Sequence, residues 1–129
     1  MALNLEIVTP DRRAWKGEAV LELIPGSEGE FGVLEQHAKL LGTTRPGLVT
    51  IDSSGEAVRL VVGAGFAEVG AEGLTLLVDS CEEAGSYDKD QATADLAEAE
   101  QLLATVDPMS NEFERARNRV DLATARISA

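Results

Sequence analysis

All 12 glycines of this 129-residue chain lie at or before Gly85; beyond it Pro108 is the one proline, and alanine, glutamate and arginine take over. Glycine supplies the positive-φ and close-approach positions that tight turns need, and it costs a helix interior about 0.5–1 kcal/mol relative to alanine. A partition this sharp excludes one uniform fold. It divides the chain into a turn-rich body, residues 1–85, and a helical appendage, residues 86–129. A body of about 85 residues is long enough to bury its own small core.

Between Leu3 and Ala84 the chain reads as short strands broken by turns, with alternation in Leu3, Leu5 and Ile7 and again from Val20 to Ile24. Turn signals recur at Thr9-Pro10-Asp11, Pro25-Gly26, Arg45-Pro46-Gly47, Asp52-Ser53-Ser54-Gly55 and Gly70-Ala71-Glu72-Gly73. That spacing predicts an antiparallel β-sandwich or barrel. Ser54-Gly55, between Leu48–Ile51 and Val58–Val62, predicts a hairpin, and Gly63 and Gly65 predict a bend on the way to Phe66–Val69.

After Gly85 the period changes. Asp88 is placed to cap a helix, with Gln91 three residues on in capping-box spacing, and Ala92, Leu96, Ala99 and Leu103 share one face. Pro108 ends this helix near Val106, and a second begins between Pro108 and Ser110 with Phe113, Ala116, Val120, Ala123 and Ile127 as its apolar stripe. So short a connection predicts an antiparallel helical hairpin and an α+β chain overall. Alanine supplies much of the inner face, so burial contributes little per residue and docking is expected to be light. Strong helix propensity lets such a hairpin open while staying helical. Charge divides the helices too: Asp88, Asp90, Asp95, Glu98, Glu100 and Asp107 face only Lys89 in the first, and Arg115, Arg117, Arg119 and Arg126 sit in the second. The expectation is partial neutralisation when folded, and a basic helix available to an acidic surface when open.

Composition excludes several functions. With 23 acidic against 11 basic side chains and a net charge of -12, non-specific nucleic-acid binding is disfavoured, because phosphates demand clustered Lys and Arg. The single cysteine, Cys81, forms no internal disulfide and reads as a small buried hydrophobe in a reducing compartment. No basic and apolar leader opens the sequence, and the run Leu60–Ala67 is far short of the roughly 20 residues a spanning helix needs, so membrane association is expected only through partners. One histidine, one cysteine and scattered serines define no triad, and no enzyme is expected. His37 with Glu30 and Glu35 is a poor metal set, since a lone histidine among loop carboxylates lacks recurring ligand spacing. Gly63-Ala64-Gly65-Phe66-Ala67-Glu68 imitates a dinucleotide-binding turn but puts Glu68 where the third glycine belongs and runs toward a turn instead of a helix.

Gly26-Ser27-Glu28-Gly29-Glu30-Phe31-Gly32, then His37-Ala38, Leu40-Leu41 and Pro46-Gly47, has no generic folding explanation. With Gly63–Gly70, Leu74–Asp79 and the two terminal helices, it resembles the epsilon subunit of rotary F-type ATP synthases, where a G-S-x-G-E-x-G turn precedes an H-A-x-L-L strand. The resemblance implies a non-catalytic central-stalk subunit whose sandwich joins the gamma subunit and the c-subunit ring, coupling proton-driven rotation to ATP synthesis. It implies that Glu30 and His37 face the c ring, and that Arg115, Arg117 and Arg119 make an inhibitory contact with β subunits when the helices extend. It implies a peripheral position on the cytoplasmic face of a bacterial plasma membrane. Some relatives bind ATP through an I/L-D-x-x-R-A motif; here Tyr87-Asp88-Lys89-Asp90-Gln91-Ala92 has Gln91 in place of the arginine, removing a phosphate-pairing fork. Glu82, Asp88, Arg115 and Arg119 still match, leaving ATP as at most a weak regulatory ligand and no resident cofactor. Glu35-Gln36 departs from the proline and glycine usual before the histidine. The alternative reading is a free-standing ATP-sensing module with the hairpin closing over nucleotide.

Overall fold

The computed structural model describes residues 3–26, 29–31, 40–53, 56–70 and 73–129. Among the described residues nine strands precede two helices: β1 (Leu3–Thr9), β2 (Arg12–Gly26), β3 (Gly29–Phe31), β4 (Leu40–Thr44), β5 (Gly47–Ser53), β6 (Glu56–Val62), β7 (Gly65–Gly70), β8 (Gly73–Val78), β9 (Cys81–Glu83), α1 (Lys89–Thr105) and α2 (Asn111–Ser128). The strands follow the path β1-β8-β7-β4-β2-β5-β6-β9, with β3 beside β2 and β1 bonded to β2 as well.

The long strand β2 serves both layers. Its first half lies antiparallel to β1, Val20–Leu23 pairs with β5, and its end meets β3 and β4. The other described pairings are antiparallel except β1 with β8, which runs parallel from Asn4 opposite Gly73 to Val8 opposite Leu77. Periodicity gives no signal for that parallel pair, because it joins distant ends of the sandwich.

Alternation sends every second side chain inward. Leu5 and Ile7 from β1, Val49 and Ile51 from β5, Leu60 and Val62 from β6, and Leu74, Leu76 and Val78 from β8 form one core, joined by Ala67 and Val69 of β7. Fully burying side chains of this size is worth about 1.5–3 kcal/mol each, so this cluster carries the sandwich. Cys81 packs half-buried at its margin. Burial raises the Cys81 thiol pKa, partly offset by the Arg12 charge.

The bend expected at Gly63 and Gly65 is a change of layer. β6 ends at Val62 and β7 begins at Gly65 in the other sheet. The Gly63 N–H donates to the Ser80 carbonyl at 2.9 Å, and the Asp79 N–H donates to the Ala64 carbonyl at 3.0 Å. A Cβ on Gly65 would stand 1.8 Å from the Leu77 carbonyl oxygen, so the crossing depends on a missing side chain. A strand follows, not a helix, which removes the dinucleotide-binding alternative. The pairing of β5 with β6 runs out to Ser53 opposite Glu56 as the hairpin reading expects; Ser54 and Gly55 lie outside the described residues.

Gly85, at φ +85°, turns the chain out of the sheet, a conformation that favours glycine. Asp88 then caps α1, its carboxylate accepting from the Asp90 N–H at 2.9 Å. The capping box does not close: the Gln91 amide donates instead to Asp95 Oδ1 at 2.9 Å, a neighbour one turn on. α1 stops at Thr105, and Ser110 caps α2 by accepting from the Phe113 N–H at 3.2 Å. Both expected boundaries hold because each is set by local capping chemistry.

Candidate functional site: the docked helical hairpin

The helices pack antiparallel, since Tyr87 just before α1 lies against Arg126 near the end of α2. Ala92 and Ala99 of α1 and Ala116, Ala123 and Ala125 of α2 are the buried apolar residues of the helices. Every one is alanine, so each buries little apolar area. The larger stripe residues Leu96, Leu103, Phe113, Val120 and Ile127 are only partly buried.

Charge does not neutralise mainly across the seam. Among the described residues Arg119 to Glu98, at 3.5 Å and well exposed, is the one ion pair joining the helices. The stronger pairs reach the sandwich. Arg45 at the mouth of β5 donates through Nε and Nη2 to the two oxygens of Asp121 on α2, at 2.9 and 2.8 Å. Arg126 on α2 donates through Nη2 and Nε to Glu82 of β9, at 2.7 and 3.2 Å. Side-chain exposure is 33% and 18% for the first pair and 18% and 22% for the second, so both are partly withdrawn from water yet still within reach of dissolved salt. Their polarity is opposed: one arginine belongs to the sandwich and the other to the hairpin.

Around Arg126 the network continues. Its guanidinium lies 3.7 Å from the centroid of the Tyr87 ring. The Tyr87 hydroxyl donates to Asp95 Oδ2 at 2.6 Å. That bond is the main reason the Tyr87 phenol pKa is raised and the Asp95 carboxyl pKa lowered, with the Gln91 hydrogen bond lowering Asp95 further.

The sequence-derived site residues fall into separate places. Glu30 stands in β3 opposite Pro25 on β2, with nothing described of its side chain, and His37 lies outside the described residues. Arg115 and Arg119 line a hollow of about 400 Å³ near the hairpin tip with Leu102, Val106 and Glu112. Arg117 is not on that surface; it is half-buried, and its Nε has no hydrogen-bond partner among the described residues. Glu82 is occupied by Arg126, and Asp88 by its cap. Arg115 lies eleven residues before Arg126, or about 16 Å along the axis, so Glu82 and Asp88 are at the opposite end of the hairpin from it. Met109, 92% exposed, and Leu102 give the tip an apolar surface.

A larger hollow of about 690 Å³ lies on the outer face of β1, β8 and β7, bordered by Glu6, Lys16, Glu18, Glu68 and Thr75. Three carboxylates with one lysine make no phosphate cradle. Among the described residues no cluster of His, Cys, Asp or Glu is arranged to hold a metal, and no helix is long and apolar enough to cross a membrane.

Sequence reasoning missed Arg45, Asp121 and Tyr87 as docking residues. Asp121 and Arg126, five apart on one helix, were the available signal, but their partners lie 76 and 44 residues away in sequence.

These features define a class: a β-sandwich carrying an antiparallel two-helix arm clamped to its flank. Residues 2–84 match the family described as ATP synthase, Delta/Epsilon chain, beta-sandwich domain. The chain belongs to that family, among the epsilon chains. It is 37% identical over 134 residues to the chloroplastic ATP synthase epsilon chain of Pyropia yezoensis, covering 99% of this chain and 100% of that one. It is 35% identical over 129 residues to the ATP synthase epsilon chain of Magnetococcus marinus, covering 100% and 94%. The fold is shared with a chain in the cryo-EM structure of the Euglena gracilis mitochondrial ATP synthase, at TM-score 0.78 and 18% identity over 96% of this chain and 78% of that one.

Proposed function

We propose that this chain is a non-catalytic central-stalk subunit of a proton-translocating F-type ATP synthase. In this reading the sandwich joins gamma and sits on the c ring, and rotation of the ring is passed through gamma to catalytic β subunits. The hairpin is the regulatory part: extended, it lies against β subunits and blocks ATP hydrolysis; docked, it releases the block. The complex holds the chain peripherally at the cytoplasmic face of a bacterial plasma membrane. The stalk assignment is supported by similarity to a chain in a Tetrahymena thermophila structure described as central stalk and c-ring, at TM-score 0.61 and 14% identity.

The observation that carries the regulatory part is the composition of the helices' buried faces. All five of their buried apolar residues are alanine, and propensity keeps both helices helical when separated. Arg115 and Arg119 at the tip hollow, with Arg117 beside them in sequence, are the proposed contact to acidic β-subunit segments. The test is ATP hydrolysis by reconstituted complex carrying Arg115→Ala, Arg117→Ala and Arg119→Ala together. Relief of inhibition is expected; unchanged inhibition removes these residues from the contact.

A further inference from the structure

We propose that the hairpin is parked on the sandwich by a self-contained ionic latch, the Arg126–Glu82 and Arg45–Asp121 forks, set by ionic strength and competing charged surfaces and needing no bound nucleotide. The proposal rests on the reading that the hairpin leaves the sandwich to regulate.

The buried apolar residues of both helices are alanines and the larger apolar ones are only partly buried, so hydrophobic contact gives the docking little that is directional. The forks supply direction. Planar guanidinium against carboxylate gives directional, charge-assisted bonds, and at 18–33% exposure neither pair is freely solvated. Removing one member strands a partly desolvated charge, which costs more than losing a surface pair.

The opposed polarity also fixes position. Along α2 the hairpin presents a carboxylate at Asp121 and a guanidinium at Arg126, about 7.5 Å apart along the axis. The sandwich presents Arg45 and Glu82 in the complementary order. A one-turn slide breaks both forks, and a reversed approach sets like charges together.

The neighbourhood of Arg126 is already complete. Glu82 takes its edge, Tyr87 takes its face, and the Gln91 amide is turned onto Asp95. Asp88 and Asp95 add negative charge close by. A polyphosphate entering here would have to displace Glu82 and approach two further carboxylates, so closure is assigned to the protein's own groups.

The test uses the full chain in a Cys81→Ser background, with spin labels on cysteines replacing the exposed residues Glu56 of β6 and Ser128 of α2, and electron-electron distance measurement. A single short distance is expected at low salt, broadening to long distances between about 20 and about 500 mM salt as the forks are screened. Arg126→Glu and Asp121→Arg are each expected to raise the open fraction about tenfold, the equivalent of about 1.4 kcal/mol. Arg126→Glu combined with Glu82→Arg is expected to restore the short distance, which a merely misfolded variant does not do. Millimolar ATP with magnesium is expected to leave the distances unchanged. Labels that stay close in both single variants, a charge swap that does not restore closure, or an ATP effect as large as that of salt each overturn the latch. Variants that open in isolation yet leave hydrolysis by the reconstituted complex unaltered keep the latch and overturn the regulatory reading instead.

Discussion

Tyr87 and Asp95 are joined by a 2.6 Å hydrogen bond that ties the entry to α1 to its second turn, directly beneath the guanidinium of Arg126. Because the bond favours neutral phenol and ionised carboxylate, its contribution has a window. The Tyr87 pKa is raised, so that contribution is full below the ordinary tyrosine value of about 10 and is lost as pH rises through the folded value. The Asp95 pKa is lowered, so that contribution is full above the ordinary carboxylate value of about 4 and is lost as pH falls through the folded value. Tyr87 is the chain's one tyrosine, so phenolate absorbance reports it alone. The midpoint is expected above that of free tyrosine, and Asp95→Ala is expected to bring it down. A midpoint at or below the free value would contradict the bond.

Removing residues 86–129 is expected to leave a folded sandwich, because every member of the main core cluster lies on a strand. The cut exposes Arg45 and Glu82 to water instead of stranding them in an apolar interior. Thermal melting by circular dichroism is expected to stay cooperative, with a loss of about 4–8 °C for each kcal/mol the docking contributed. Co-purification with gamma is expected to survive. A non-cooperative melt would mean the hairpin is part of the sandwich core.

Ala99 is fully buried on α1, which packs on α2. Ala99→Leu adds volume at a position closed to solvent, at a cost of about 1–3 kcal/mol. Hydrogen exchange is expected to accelerate through residues 89–128 while β1 and β8 remain protected and total helicity barely changes. Equal acceleration in the strands would show that the two parts unfold together.

Gly65→Ala is expected to destabilise the sandwich by about 1–3 kcal/mol, since its Cβ would meet the Leu77 carbonyl oxygen and force β7 and β8 apart. Chemical denaturation measures this directly. Gly42→Ala, where a Cβ would meet nothing within 4 Å, is the control and is expected to change stability far less.

The parts legible in the sequence were those governed by neighbours in the chain. Asp88 and Ser110 begin helices because their oxygens meet N–H groups two or three residues on, and Gly63 and Gly65 mark a bend, although that the bend is a change of layer depends on Leu77 and Asp79 across the sheet. The family was legible from the glycine-rich turn and the order of elements. What stayed hidden depends on distant partners. The parallel pairing of β1 with β8 leaves no local signature, and Arg45 and Asp121 are ordinary surface charges until the fold brings them together. Counting charges on the helices suggests that they neutralise one another, whereas both two-pronged contacts are directed at the sandwich. Gln91 shows a finer limit: its spacing fits a capping box, but Asp95 is an equally near acceptor and takes its amide.

Strand β2 passes from one layer into the other without interruption, bonded to β1 along its first half and to β5 farther on. Sliding the layers past each other therefore means deforming a continuous peptide, not just unsticking side chains. A part built this way is stiff under twisting load, and a sideways force applied to one face reaches the other through covalent bonds.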